Sequence, residues 1–191
     1  MKIESLQNKK VKEWTSLKEK KERDKTNTFL IEGDHLLKEA MKHHLVIEVI
    51  TTEEVDYEVP TFHVTKKVME KITNQVTPPK VIAVTKKLEE KAINGPVLIL
   101  DGIQDPGNLG TIIRSCVAFN MPNLLLSKEC VDVYNPKVIR STEGMIFHLN
   151  IVRKDLTEIL PKLKETHQII GTDVVNGVSI KEIEKEKNIA L

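Results

Sequence analysis

The 191-residue chain has few cysteines and few aromatic residues. Two cysteines, Cys116 and Cys130, are too few for a disulfide framework, so we expect a reducing, cytoplasmic environment. Aromatic residues make up 4% of the chain, which argues against a module that stacks nucleic-acid bases on several exposed rings. No Cys/His cluster has zinc-site spacing, so no metal is expected. No apolar run approaches the ~20 residues that a membrane-spanning helix needs.

The chain also has no large excess of charge of either sign, because it contains 29 basic and 28 acidic residues. The charge is nevertheless distributed unevenly. Residues 1–25 contain nine basic and five acidic side chains. A solvated helix face would explain this local excess, and so would a surface that binds phosphates. The candidate phosphate-binding residues in this segment are Lys9, Lys10 and Arg23.

Hydrophobic patterning predicts strands that alternate with helices, which indicates an α/β fold. The predicted strands lie at 29–32, 45–50, 81–84, 97–100, 123–126, 147–152 and 169–170. The predicted helices lie at 11–18, 35–42, 66–72, 109–119, 136–143 and 156–165, with Asp34 capping the second. The strands after residue 95 are apolar without alternation, as in buried parallel sheets. A charge run and a Gly-Pro turn indicate a boundary at 85–95, so we expect two domains, residues 1–90 and 95–191.

One loop has the composition of a ligand-binding loop. A buried strand ends before Asp101, and a loop rich in glycine, proline and polar residues then leads into a helix. In parallel α/β sheets, ligands bind in such loops, at the carboxyl ends of strands. Asn108 stands at the predicted N-cap of the helix, and Arg114 lies off its apolar stripe. An ordinary turn, cap and solvated arginine would also explain these residues, since no dinucleotide-binding or phosphate-loop glycine pattern is present.

The segment from Gln104 to Phe119 resembles the first signature motif of the SpoU/TrmH-type RNA ribose 2′-O-methyltransferases, a family of the SPOUT class. The segment from Asn135 to Leu149 resembles the next conserved segment of that family. Shorter stretches at 5–12, 29–40 and 68–78 are similar to its N-terminal substrate-binding domain. The resemblance therefore covers nearly the whole chain in order.

This resemblance implies a small, ribosomal-protein-like α/β RNA-binding domain followed by a parallel-sheet SPOUT-type domain. It also implies S-adenosylmethionine as cofactor, ribosomal or transfer RNA as substrate, and a homodimer. Arg114 corresponds to the catalytic arginine of the family and Asn108 to its partner, and Thr172 to the edge of the donor pocket. In the second motif, Lys137 and Arg140 are candidate RNA-binding residues.

The role of Arg114 follows from its chemistry. A guanidinium stays protonated far above neutral pH, so it is a poor base at neutral pH. We therefore expect Arg114 to bind the target phosphate or the developing alkoxide. Glu143 is a base by residue type, and a helix cap or an ion pair with Arg140 are its alternative roles.

Two later motifs of the family, a Gly/Glu-rich loop and a Ser-Leu-Asn segment, have no match in these 191 residues. The resemblance thus implies a SPOUT domain that is incomplete at its knotted C-terminal part and binds S-adenosylmethionine weakly or not at all. The alternative to an enzyme is a non-catalytic RNA-binding module derived from the family. A nucleotide-binding oxidoreductase is a third, weaker hypothesis, because the glycine fingerprint is missing.

Overall fold

The computed structural model describes residues 2–173, 175, 177–184 and 188–191. The chain divides into two compact units. The first contains the residues up to Lys87 together with Asp132–Phe147, and the second contains Leu88–Val131 together with His148–Leu191. Residues 132–147 therefore pack with the N-terminal part of the chain and not with their neighbours in sequence.

Strands and helices alternate over much of the described residues, as the hydrophobic pattern predicts, but the pattern missed the strands at 2–3 and 61–64 and the helix at 20–26. The strands are β1 (Lys2–Ile3), β2 (Thr28–Glu32), β3 (Val46–Thr51), β4 (Thr61–Val64), β5 (Val81–Lys86), β6 (Val97–Leu100), β7 (Asn123–Leu126), β8 (Asn150–Arg153), β9 (His167–Ile169) and β10 (Asn188–Ala190). The α-helices are α1 (Lys9–Ser16), α2 (Lys20–Thr26), α3 (Asp34–Lys42), α4 (Lys66–Ile72), α5 (Pro106–Ala118), α6 (Pro136–Ser141) and α7 (Leu156–Leu163). Within the described ranges, no helix has the length and apolar character that crossing a membrane would require.

The first unit is built on a mixed sheet with the strand order β1-β4-β3-β5-β2. Strands β1, β4 and β3 run parallel, whereas β5 runs antiparallel to both of its neighbours. Helices α1 and α4 contact each other, and their apolar stripes supply much of the core. The core residues on these two helices, each at most 1% exposed, are Val11, Trp14, Val68, Met69 and Ile72.

Residues 132–147 complete the first unit by packing against its edge strand β2. Helix α6 lies beside β2, and the ring of Tyr134 packs on that of Phe29 with 4.8 Å between centroids. Further along, Gly144 has a φ of +80°, and a Cβ atom at this position would lie 2.7 Å from Cγ of Glu39. Both the positive φ and the close approach to α3 require glycine at this position.

The second unit contains a sheet with the order β8-β7-β6-β10-β9, in which every pair of neighbours is parallel. This confirms the predicted parallel sheet. All four residues of β7 are buried, which explains why its sequence is apolar without alternation. Because all five strands run in the same direction, their carboxyl ends lie at one edge of the sheet. The loops after β6, β7, β8 and β9 leave the sheet at this edge.

The predicted start of α5 is wrong by three residues. The helix begins at Pro106, and its N-cap is Asp105, whose carboxylate accepts a hydrogen bond from the backbone N–H of Asn108 at 2.7 Å. Proline is tolerated in the first helical position because the N–H that it lacks would have no partner inside the helix. Asn108 therefore lies in the first turn of α5 and is not its cap.

Two other predicted boundaries also differ from the structure. Gly33, with a φ of +101°, occupies the N-cap position of α3, so Asp34 is the first helical residue. An acidic side chain in the first turn interacts favourably with the helix dipole, which gives Asp34 a role without capping. Strand β8 starts only at Asn150, because the preceding Met145–His148 form a 3-10 turn.

Candidate functional site

The loop between β6 and α5, residues 101–105, leaves the central strand of the second sheet and is bonded to the loop after β7. Gly102 N–H donates to Ser127 Oγ at 3.0 Å. The N–H of Val131 donates to the carbonyl oxygen of Ile103 at 2.8 Å. The side chain of Gln104 donates to the carbonyl of Glu129. The neighbouring loop thus holds the segment that leads into α5.

Asn108 and Arg114 both lie on α5 with exposed side chains. Arg114 follows Gly107 by seven residues and Gly110 by four, so these three positions share one side of the helix. Side chains on a helix lean toward its N-terminus. Gly110 itself is buried, whereas Gly107 lies beside Asn108 in the first turn of α5.

The guanidinium of Arg114 is available to a ligand. Among the described residues, none forms a hydrogen bond or ion pair with it. Its positive charge attracts anions, whereas the N-terminal end of α5 is already capped by the Asp105 carboxylate. This arrangement can bind a phosphate or an alkoxide by charge-assisted hydrogen bonds.

Thr172 lies in the loop after β9, at the same edge of the sheet, and is exposed. Only β10 separates β9 from β6 in the sheet, so these two strands lie about 10 Å apart. Gly102 and Gly171 lie in the loops after these strands, and no other described atom comes within 4 Å of a Cβ placed on either one. A ligand of nucleoside size could therefore contact both loops.

Lys9 and Lys10 lie side by side on α1 but have different surroundings. The side chain of Lys9 is 92% exposed and lies 3.8 Å from Glu13. In contrast, the ammonium of Lys10 forms a 2.6 Å ion pair with Glu48 and lies over the ring of Phe62. Glu48 also accepts a hydrogen bond from the indole of Trp14 at 2.6 Å. Lys10 is thus part of a packed cluster, whereas Lys9 is open to a partner.

Arg23 is directed into the protein. The side chain is 4% exposed and pairs with Asp132 at 2.7 Å. The same guanidinium donates to the carbonyl oxygens of Leu17 at 3.0 Å and Lys18 at 2.6 Å. These partners leave it inaccessible to an RNA phosphate, so the structure places Arg23 in the folded framework of the first unit.

Lys137 and Arg140 lie one turn apart on α6, and both are exposed. This spacing brings the two cations to one side of the helix. Glu143 follows with a φ of +48°, and its carbonyl oxygen is hydrogen-bonded to His35 Nε2 at 3.0 Å. The C-cap of α6 is Thr142, and within the described residues no ion pair links Glu143 with Arg140. The ion pair considered for Glu143 is therefore absent, whereas its left-handed backbone directly after Thr142 is typical of a residue that ends a helix.

Sequence reasoning missed one basic groove in the first unit. The groove has a volume of about 400 Å³ and is lined by Lys12, Lys18 and Lys71 beside a single acid, Glu19. The ammonium of Lys18 donates to the carbonyl oxygens of Lys71 at 3.0 Å and Thr73 at 2.7 Å, and burial lowers its pKa. Lys12 and Lys18 belong to the charge excess of residues 1–25, but neither was among the candidates, and no local pattern connects them with Lys71 on α4.

Comparison with known families shows to which protein family the chain belongs. Residues 95–191 match the family model described as SpoU rRNA Methylase family. The chain belongs to this family. Residues 8–83 match the MRM3-like substrate binding domain. The resemblance to SpoU-type methyltransferases with an N-terminal substrate-binding domain is thereby confirmed.

Individual relatives of this SpoU family member agree with the assignment. The 23S rRNA (guanosine(2553)-2'-O)-methyltransferase RlmP of Bacillus subtilis is 39% identical over 198 residues, which cover 99% of this chain and 80% of RlmP. The mitochondrial rRNA methyltransferase 3 of Xenopus laevis is 32% identical over 77% of this chain and 40% of its own length.

Solved structures of the same kind share the fold. The rRNA methyltransferase from Sinorhizobium meliloti superposes with a TM-score of 0.88 at 26% identity, covering 100% of this chain and 80% of the other. The AdoMet-bound rRNA methyltransferase from the same organism gives a TM-score of 0.85 at 25% identity, covering 100% of this chain and 79% of the other. A SPOUT-type α/β fold is therefore shown for this chain.

Proposed function

We propose that this protein transfers the methyl group of S-adenosylmethionine to a ribose 2′-oxygen of ribosomal RNA. The observation that carries this function is the exposed guanidinium of Arg114, which pairs with none of the described residues and lies on the helix that follows the loop at the carboxyl edge of a SpoU-family sheet. The printed names of its relatives, rRNA methyltransferases that include a 2′-O-methyltransferase, support the choice of reaction and substrate.

The proposed reaction is a displacement at the methyl carbon. The enzyme has to align the ribose oxygen with that carbon at about 3 Å and stabilise the negative charge that the oxygen acquires. Arg114 would bind this charge, or the adjacent phosphate, through two N–H groups of its planar fork. Asn108, in the first turn of the same helix, would orient the ribose or the Arg114 side chain.

The residues at the carboxyl edge fit part of an S-adenosylmethionine site. Gly102 and Gly171 leave backbone open to a ligand, and the exposed hydroxyl of Thr172 can hydrogen-bond an adenosine. These loops would hold the nucleoside part of the cofactor. S-adenosylmethionine supplies a methyl group activated by a positive sulfur and would leave as S-adenosylhomocysteine. The protein's own part is to bind and orient the ribose hydroxyl and to stabilise its developing negative charge, while the hydroxyl proton passes to water.

The proposed RNA-binding residues are the exposed cations of the first unit. Lys9 on α1 and the pair Lys137 and Arg140 on α6 present unburied charges. Lys12 and Lys71 line the basic groove and extend this set. The buried Arg23 and the paired Lys10 are left out of it.

We further propose a cytoplasmic homodimer. Two free cysteines, Cys116 and Cys130, suit a reducing compartment. Phe119 is 84% exposed, and a subunit contact would remove this apolar ring from water.

The reaction can be tested in the full-length protein, with S-adenosylmethionine carrying a labelled methyl group and purified ribosomal RNA. We expect incorporation into RNA, and we expect the bond after the labelled nucleotide to resist alkali. Alkaline cleavage needs a free 2′-hydroxyl, so resistance identifies the methylated atom. RNA binding without methyl transfer would indicate the non-catalytic module instead, and label on a base would contradict ribose methylation.

A second prediction concerns the two cations of α6. Replacing Lys137 and Arg140 by Gln should weaken RNA binding and flatten its dependence on salt. Each lost phosphate contact lowers the slope of log affinity against log salt by about one. The measurement is a salt titration of RNA affinity. Lys162→Gln, which removes an exposed cation from α7 in the second unit, is the matched control. An unchanged slope in the double variant would exclude α6 from the RNA-binding surface.

A further inference from the structure

Arg153 ends β8 with its guanidinium directed at the loop after β7. Nη1 donates to the carbonyl oxygen of Val131 at 3.2 Å, and Nη2 donates to that of Lys128 at 2.6 Å. Nη2 also donates to the carbonyl of Cys130. Three carbonyls of a four-residue segment thus converge on one side chain. Without these donors, the converging oxygens would repel one another and lose hydrogen bonds that are assisted by charge.

The segment that Arg153 holds is also the one that contacts the loop at residues 101–105. The N–H of Val131, whose carbonyl bonds Arg153, donates to Ile103. Glu129, between two of the bonded carbonyls, accepts from the side chain of Gln104. The chain of contacts continues to Asp105, which caps α5 through the N–H of Asn108.

We propose that Arg153 is a positioning residue for methyl transfer, because it holds the loop after β7 in the shape that places residues 101–105 and the first turn of α5. This role rests on the proposed function. Arg153 acts through the two loops and does not itself contact the reacting atoms. An error of about 1 Å in the placement of reacting groups can cost on the order of a hundredfold in rate, so such support matters for turnover.

The geometry requires arginine and not merely a positive charge. The planar guanidinium presents several donors in fixed directions, and three carbonyls use two of its nitrogens. The ammonium of a lysine is a point charge that cannot reproduce this fork. A second attachment, the 3.0 Å ion pair of Lys128 with Asp155, is exposed and holds only one end of the segment.

The structural part of this role can be tested by amide hydrogen exchange on the full chain. In Arg153→Met, we expect the amides of Val131 and Gly102 to exchange at least tenfold faster, because their hydrogen bonds join the two loops. The amide of Ile99 within β6 should keep its rate. Lys154→Met is the matched control, since it removes the neighbouring cation and its exposed ion pair with Glu90. Unchanged exchange at Val131 and Gly102 would overturn the role of Arg153.

The catalytic consequence is measured with labelled S-adenosylmethionine and RNA. We expect kcat of Arg153→Met to fall about ten- to a hundredfold while KM for RNA stays within about twofold, since the exposed cations that bind RNA are untouched. Arg153→Lys should recover little. A kcat at the wild-type level in Arg153→Met, or full rescue by lysine, would overturn the positioning role. If the full-length wild-type protein transfers no methyl group, the proposed function fails, and hydrogen exchange still decides whether Arg153 holds the loops.

Discussion

Arg114→Ala is expected to reduce the rate of methyl transfer by about 10²–10³-fold while leaving the melting temperature unchanged. Loss of one preorganised donor to a developing negative charge typically has an effect of this size. Arg114 is exposed, and no described residue pairs with it, so its removal should cost little packing. Single-turnover methylation of RNA, with thermal unfolding measured alongside, is the test.

Two further variants test whether the effect depends on the guanidinium of Arg114. Arg114→Lys should restore little activity, because an ammonium cannot make the bidentate contact of a guanidinium. Lys162→Ala removes an exposed cation from α7 and should methylate at the wild-type rate. A normal rate in Arg114→Ala would show that the residue is only a solvated side chain. A large fall in melting temperature would show that it supports the fold.

Arg23→Met is expected to lower the free energy of unfolding by about 3–5 kcal/mol, the usual effect of leaving one partner of a buried ion pair alone. The side chain of Arg23 is 4% exposed, and that of Asp132 is 16% exposed. The substitution removes the hydrogen-bond donors of the Asp132 carboxylate's Oδ2 and of the carbonyl oxygens of Leu17 and Lys18. Denaturant unfolding monitored by fluorescence of Trp14 in the same unit measures the change.

The neighbouring exposed ion pair provides the control. Lys20 on the same helix pairs with Asp24 at 2.5 Å, with 58% and 47% of the two side chains exposed. Lys20→Met should therefore cost less than about 1 kcal/mol. Adding Asp132→Asn to Arg23→Met should recover part of the loss, because the buried negative charge is then removed. A loss below 1 kcal/mol for Arg23→Met itself would contradict a buried structural role.

The elements that local sequence predicted well carry their own start and stop signals. Helix α4 has the predicted bounds Lys66–Ile72, and the side chain of Thr65 caps it by accepting from Val68 N–H. Strand β7 has the predicted bounds Asn123–Leu126, because its continuous apolar run is buried on both faces. In contrast, strand β1 was not predicted, since two residues are too few to show a period.

Some features of the candidate site were also predictable from local sequence, and others were not. The sequence predicted a ligand-binding composition for the loop at 101–108 and a position off the apolar stripe for Arg114. Both are local properties of a strand–loop–helix unit. The N-cap of α5 could not be predicted from the sequence. Asp105 and Asn108 are both good N-cap residues, and which of them caps the helix depends on where the helix starts. The sequence did not predict the role of Arg153, because its three carbonyl partners lie on a loop that is distant in sequence.

By itself, the sequence determined the alternation of strands and helices, the parallel sheet of the second unit and the family, since these depend on periodicity and on motifs within short windows. Only the tertiary structure decided that residues 132–147 join the first unit and that β10 lies between β6 and β9. It alone also paired Arg23 with an aspartate 109 residues away. Such pairings depend on which buried surfaces and charges meet when distant segments pack, and no local pattern of residues encodes them.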